Sequence, residues 1–128
     1  MTDAELAAHL AKIAGNILIE VRDSGMFTGK ALGKAGDQTA NQFLVSALRE
    51  QRPDDGLLYE ESRDTDERLS KDRVWIVDPV DGTLNFAAGI PIFGVMVGLV
   101  RGGEVLAAWI HDPVRKRTMM AEAGGGTL

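Results

Sequence analysis

The stretch Trp75-Ile76-Val77-Asp78-Pro79-Val80-Asp81-Gly82-Thr83-Leu84-Asn85-Phe86 decides how this chain is read. An apolar, β-prone run over residues 74–77 meets an acid at Asp78. Pro79 has no N–H to give a ladder and is expected to stop the strand there. A second acid, Asp81, follows, and Gly82-Thr83 makes a flexible turn with exposed backbone N–H groups. Two carboxylates fixed at the end of a buried strand repel each other. They are costly unless a cation neutralises them, which points to a hard divalent metal such as Mg²⁺. Glu60 and Glu61 close another short apolar run, residues 57–59, and can bring a third carboxylate to the same place. Such a cluster suits the holding of a phosphate. A helix cap at Asp81, with Asp78 paired to an Arg, would explain one Asp-Pro pair, but it explains the whole string with Glu60-Glu61 far less well.

The rest of the composition narrows the class. A length of 128 residues is ordinary for one domain and allows a buried core. The net charge of −5 argues against a general binder of nucleic acid polymers. The absence of cysteine excludes a disulfide framework and a thiolate nucleophile. No signal-peptide pattern and no apolar run long enough to span a bilayer is found, so no membrane partner and a cytoplasmic location are expected.

Outward from the central stretch, residues 2–22 read as a helix. Thr2 and Glu5 have capping-box spacing, and Leu6, Leu10, Ile13, Ile17 and Val21 share a face. His9 within it reads as a packing or surface residue. Residues 25–35, rich in Gly with Lys30 and Lys34, read as a loop or loose hairpin. A second helix is expected over 37–51, with Asp37 as its N-cap and Pro53 beyond its end. Residues 57–59 form a short strand, and 64–73 a charged, solvated connector. Residues 85–91 are a turn segment. Strands over 93–100 and 105–110, joined by Arg101-Gly102-Gly103-Glu104, and a third over 117–122, read as an antiparallel meander. His111 reads as an edge or surface residue, and Gly124-Gly125-Gly126 as a turn.

The string from Asp78 to Phe86, preceded by Trp75 and by Glu60-Glu61-Ser62, resembles the signature of the inositol monophosphatase family. Gly89-Ile90-Pro91-Ile92-Phe93 resembles the inositol monophosphatase branch. Gly36-Asp37-Gln38-Thr39-Ala40-Asn41 and Asp72-Arg73-Val74-Trp75 resemble actinobacterial nucleotide phosphatases. The resemblance implies an α/β (strictly α+β) fold, with N-terminal helices packed on a largely antiparallel sheet. It also implies that the whole chain, 1–128, is a single N-terminal domain. Family members run to about double this length, and their second half carries a further metal-binding Asp. The chain is therefore expected to be an N-terminal half, acting as a homo-oligomer such as a dimer or with its missing C-terminal half.

The implied activity is Mg²⁺-dependent hydrolysis of a small phosphorylated substrate by metal-activated water. Glu60, Asp78, Asp81 and the Val80 carbonyl would hold two or more ions, and Glu61 would orient a metal-bound water. Gly82 and Thr83 would bind the phosphate through their N–H groups, and the Thr83 hydroxyl would hold the attacking water. The family pairs that threonine with an Asp near the start of the second helix. The best-matching position here is Asn41, which cannot usefully accept a proton, and Asp37, one turn earlier, is the substitute. A nucleotide 3′(2′),5′-bisphosphate phosphatase is the alternative within the same chemistry. A non-catalytic half-domain or interaction module is the alternative outside it.

Overall fold

In the computed structural model the residues described are 1–59 and 71–122. Helix α1 (Asp3–Asp23) opens on a complete capping box: the Thr2 side chain accepts from the Glu5 N–H while the Glu5 carboxylate accepts from the Thr2 N–H. Ser24 caps its end, and Gly25 turns away at φ 71°, a conformation glycine reaches without a Cβ penalty. Helix α2 covers Gly29–Gln51, much longer than the 37–51 expected. The apolar period runs on upstream: Leu32, Gly36, Ala40, Leu44 and Leu48 are spaced by four residues and all buried. Gly33, which reads as a loop signal, is a point of close packing instead, and so is Gly36. A Cβ at Gly36 would lie 2.4 Å from Cε1 of the fully buried Phe86. Asp37 is therefore an interior residue of a helix, not its cap.

Strand β1 (Gly56–Tyr59) pairs in parallel with β2 (Arg73–Asp81), matching Tyr59 with Val77. Strands β3 (Gly94–Arg101), β4 (Glu104–Asp112) and β5 (Arg117–Glu122) continue the sheet as an antiparallel meander, in the order β1-β2-β3-β4-β5. Gly102 and Gly103, at φ 58° and 82°, make the tight β3–β4 turn, as a two-residue hairpin loop of the mirror-image type requires. Pro79 does not end β2. The strand runs through it, and the ladder to β3 breaks instead, with a register shift between Asp78 and Asp81. A proline has no N–H to offer its neighbour, so a break in pairing is the form its cost takes.

Both helices lie on one face of the sheet, with α1 against β3 and β4 and α2 against β2 and against helix α3 (Thr83–Ala87). Alternate residues point into this layer: Trp75 and Val77 from β2, Val95, Val97 and Leu99 from β3, and Ala107 and Trp109 from β4. Trp75 and Trp109 stack with centroids 6.3 Å apart, and the Trp75 indole N–H donates to Asp55 Oδ2 at 2.9 Å. Asp55 also takes Arg73 Nη2 at 3.2 Å, and Asp3 takes Arg73 Nη2 at 2.9 Å and Arg52 Nε at 3.1 Å. Burial pushes the Asp3 carboxyl up, but the hydrogen bonds and charges of Arg52 and Arg73 outweigh it and hold its pKa below the ordinary value. This network ties the start of α1 to the start of β2. His111, expected at the surface, is only 3% exposed, because the helix-facing alternation of β4 continues one residue pair past Trp109. No described helix is long and apolar enough to cross a membrane.

Candidate active site

β2 carries the central acids to the rim of the sheet. Asp78 is half-buried opposite Met96, while Asp81 is exposed opposite Gly94, after the ladder has broken. Val80 between them is buried, 3% exposed. Gly82 then turns the chain at φ 87° into α3, where a Cβ would stand 3.0 Å from the Ile92 carbonyl oxygen. Gly82 caps α3, and no side chain does, so Asp81 is not a helix cap. The Thr83 hydroxyl donates to the Val80 carbonyl oxygen at 3.0 Å, closing the loop Val80-Asp81-Gly82-Thr83. Asn85 holds the far side by donating from Nδ2 to the Ile92 carbonyl at 3.0 Å. Phe86 anchors it from below, edge-on to Phe93 at 5.0 Å. Both residues thus hold the turn.

α2 approaches this loop through its glycines. A Cβ at Gly33 would meet Thr83 Cγ2 at 3.3 Å and Ala87 Cβ at 3.4 Å. Asp37 lies one turn beyond Gly33 on the same helix face. The two elements enclose a cavity of about 490 Å³ lined by Lys30, Gly33, Lys34, Asp37, Thr83, Leu84 and Ala87. It is Asp37, not Asn41, that shares this cavity with Thr83. Lys30 and Lys34 were read from the sequence as loop residues. The structure puts them on successive turns of α2, facing the same space. Their spacing with Gly33 and Asp37, at i, i+3, i+4 and i+7 on one helix face, was the signal that could have found them.

Asp81 lines a neighbouring hollow of about 320 Å³ with Gly82, Asn85, Phe93 and Asp112. The Asp112 carboxyl is held below its ordinary pKa: burial pushes it up, but hydrogen bonds from the Val114 and Arg115 N–H groups and from the Arg115 guanidinium outweigh this. Among the described residues no group of three or more His, Cys, Asp or Glu side chains gathers into a metal site. Glu60 and Glu61, named from the sequence as ligand and water-orienting group, lie outside the described residues, as do most of the charged connector and Gly124-Gly125-Gly126. The donors that are described are hard oxygens: the carboxylates of Asp78 and Asp81 and the Val80 carbonyl, which retains a second lone pair beside the Thr83 bond. Donors of this kind fit a Mg²⁺-class cation and do not fit a soft metal.

Comparison with known proteins follows the same lines. The sequence model described as "Inositol monophosphatase family" matches residues 2–128. The chain is 48% identical over 101 residues to a 3′-phosphoadenosine 5′-phosphate phosphatase of Mycobacterium leprae, covering 77% of this chain and 37% of that one. It is 35% identical over 113 residues to an inositol-1-monophosphatase of Mesorhizobium japonicum, covering 88% and 40%. Among solved structures it superposes on inositol monophosphatase-II of Staphylococcus aureus with a TM-score of 0.87 at 28% identity, covering 100% of this chain and 48% of that one. The extragenic suppressor protein suhB of Bartonella henselae gives 0.85 at 30% identity, covering 98% and 50%. The chain thus spans half or less of the length of each of these relatives.

Proposed function

Because the chain belongs to the inositol monophosphatase family, we propose that it serves Mg²⁺-dependent hydrolysis of a small phosphomonoester by direct attack of water. The observation that carries this is the cavity shared by Thr83 and Asp37, beside a strand whose pairing with β3 shifts register between Asp78 and Asp81. The Thr83 hydroxyl spends its hydrogen on the Val80 carbonyl, so its lone pairs are left to accept from a water in the cavity. That bond fixes the water's direction. Asp37, on the facing helix, takes the proton the water gives up as it attacks phosphorus. The N–H groups of Gly82 and Thr83 bind the phosphoryl oxygens. The ester oxygen leaves with the alcohol, and no covalent intermediate with the protein is required.

Asp78, Asp81 and the Val80 carbonyl would hold the cation, with Glu60 as a further ligand and Glu61 orienting its water. Support for Glu60 comes from the parallel register, since β1 ends at Tyr59 opposite Val77, one residue short of the level of Asp78. When bound, a divalent cation of this class neutralises the acids, polarises the phosphoryl oxygen and acidifies the water. A remaining acidic ligand would come from polypeptide beyond this chain's span, or from a second copy in a homo-oligomer such as a dimer. The cytoplasm is the proposed location.

A second reading has its own observation. Lys30 and Lys34 stand on the rim of the Thr83 cavity and join no ion pair among the described residues. Two cations beside a single phosphate pocket favour a substrate that brings a second phosphate, a 3′(2′),5′-bisphosphate nucleotide. Phosphate release from inositol monophosphate and from adenosine 3′,5′-bisphosphate, with and without Mg²⁺, tests both readings. Metal-dependent turnover lost in Asp81→Asn supports the proposal. A folded chain with no turnover on either substrate supports a non-catalytic half-domain instead.

A further inference from the structure

His111 is the buried polar side chain of the described core. One edge of its ring is satisfied, with Nδ1 2.8 Å from Thr118 Oγ1. The other edge faces α1 at Gly15, where a Cβ would stand 2.9 Å from Cδ2, 3.4 Å from Nε2 and 2.8 Å from the Pro113 Cβ. Only a glycine lets the helix come down on this ring. The ring lines a cavity of about 370 Å³ together with Lys12 and Asn16 of α1, Lys116 of the β4–β5 turn and Thr118 of β5. Nε2 has no hydrogen-bond partner among the described residues.

Neither lysine joins an ion pair among the described residues. Asp112 is committed to its own turn, since Oδ1 accepts from the Val114 and Arg115 N–H groups and Oδ2 pairs with the Arg115 guanidinium at 3.0 Å. Lys116 holds φ 57°, the positive value of a non-glycine residue among those described, which costs a lysine energy that a glycine would not lose. The lining is thus rich in donors: two ammonium groups, an amide, and an imidazole whose Nε2 carries its hydrogen when the Thr118 hydroxyl donates to Nδ1. The complement of such a lining is an anion with several acceptor oxygens.

We infer that the cavity between Lys12, Asn16, His111, Lys116 and Thr118 binds a phosphate group, free or carried on a small ester. Burial favours the neutral imidazole, with Lys12 acting in the same direction and Asp112 against it. A neutral ring still donates from Nε2. The cavity shares no lining residue with the hollow that Asp81 lines or with the cavity that Thr83 lines. It does not depend on the proposed hydrolysis.

The test is a titration of the metal-free protein with inorganic phosphate in EDTA, at constant ionic strength against chloride, followed by amide and imidazole NMR. Saturable shifts at Lys12, Asn16, His111 and Thr118, with the Nε2–H tautomer visible in the ring nitrogens, are expected. A parallel titration with adenosine 5′-monophosphate separates a site for the free anion from one that accepts the group on an ester. Replacing His111 endangers folding, so two exposed positions carry the mutational arm. Lys12→Ala and Lys116→Gly, the latter compatible with its positive φ, should each weaken binding by about tenfold or more. Asp81→Asn should bind phosphate as before. Equal shifts with chloride, or unchanged affinity in both lysine variants, would overturn the inference.

Discussion

Thr83 sets its methyl group against Gly33 of α2, 3.3 Å from where a Cβ would be, and Asp37 follows one turn along the same helix face. A residue pair remote in sequence therefore lines one cavity, and its closeness depends on glycine at the crossing.

Asn41 is outside this cavity, although the family pattern aligns most readily on it. Asn41→Ala should leave kcat for phosphate release within about twofold of the parent, because it removes no group that reaches the water. Asp37→Asn, which keeps shape and loses the proton acceptor, should lower kcat by about 10²–10⁴-fold. Steady-state assays with saturating Mg²⁺ decide it, and the reverse order of effects would restore Asn41 to the site.

Gly36→Ala sets two effects against each other. Alanine is the better helix former by about 1 kcal/mol. Its Cβ, however, would sit 2.4 Å from Cε1 of Phe86, a ring with no exposed edge and held by Phe93. Overpacking of this kind costs about 1–3 kcal/mol, so the variant should be less stable in spite of its propensity. Urea unfolding measures the balance, and a higher midpoint for Gly36→Ala would show that α2 and α3 are not so tightly apposed.

The buried His111 gives stability a pH dependence. Burial chiefly lowers its pKa below the ordinary 6.5, with Lys12 adding to this and Asp112 opposing it. As pH falls below that of the unfolded imidazole, the unfolded chain takes up the proton first. Stability is then full above about pH 7 and declines as pH falls from 6.5 towards the lowered folded value. The Asp3 carboxyl adds a second loss only below its ordinary 3.8, as its ion pairs with Arg52 and Arg73 are protonated away. Urea midpoints at about pH 7.5 and pH 5 should differ for the parent and converge in His111→Gln if that variant folds. Equal midpoints in the parent would contradict the burial of the ring.

The sheet face away from the helices exposes Ile110, 39%, beside its cross-strand neighbour Met119, 52%. Apolar surface of this kind drives association. Sizing with light scattering should show a mass that rises with concentration, and Ile110→Lys should lower it. A concentration-independent monomer would count against any part for this face in assembly.

Much of this architecture was legible. The Thr2–Glu5 capping box, the β3–β4 turn at Gly102-Gly103 and the span of β5 all follow from local chemistry that nothing distant overrides. Three features were not. Gly33 looked like a loop glycine because helix propensity penalises it, and only contact with Thr83 and Ala87 shows why it is used within α2, as contact with Phe86 does for Gly36. Pro79 looked like a strand terminator, whereas β2 passes through it by giving up its pairing between Asp78 and Asp81. His111 looked peripheral because a single histidine next to Asp112-Pro113 resembles a turn. Its burial depends on Gly15, a contact no local pattern records. The site suffered from the same gap: its acids were read from the string itself, but the helix that faces them was placed too late in the chain.

The most direct test of the account is a double-mutant cycle on kcat for phosphate release, using Asp37→Asn and Thr83→Val with saturating Mg²⁺. If the two side chains handle one water across one cavity, each single change should cost most of the rate and the double variant should be hardly slower than the worse single one. Losses that multiply would mean that Asp37 and Thr83 act separately, and the shared cavity would not be the site of reaction.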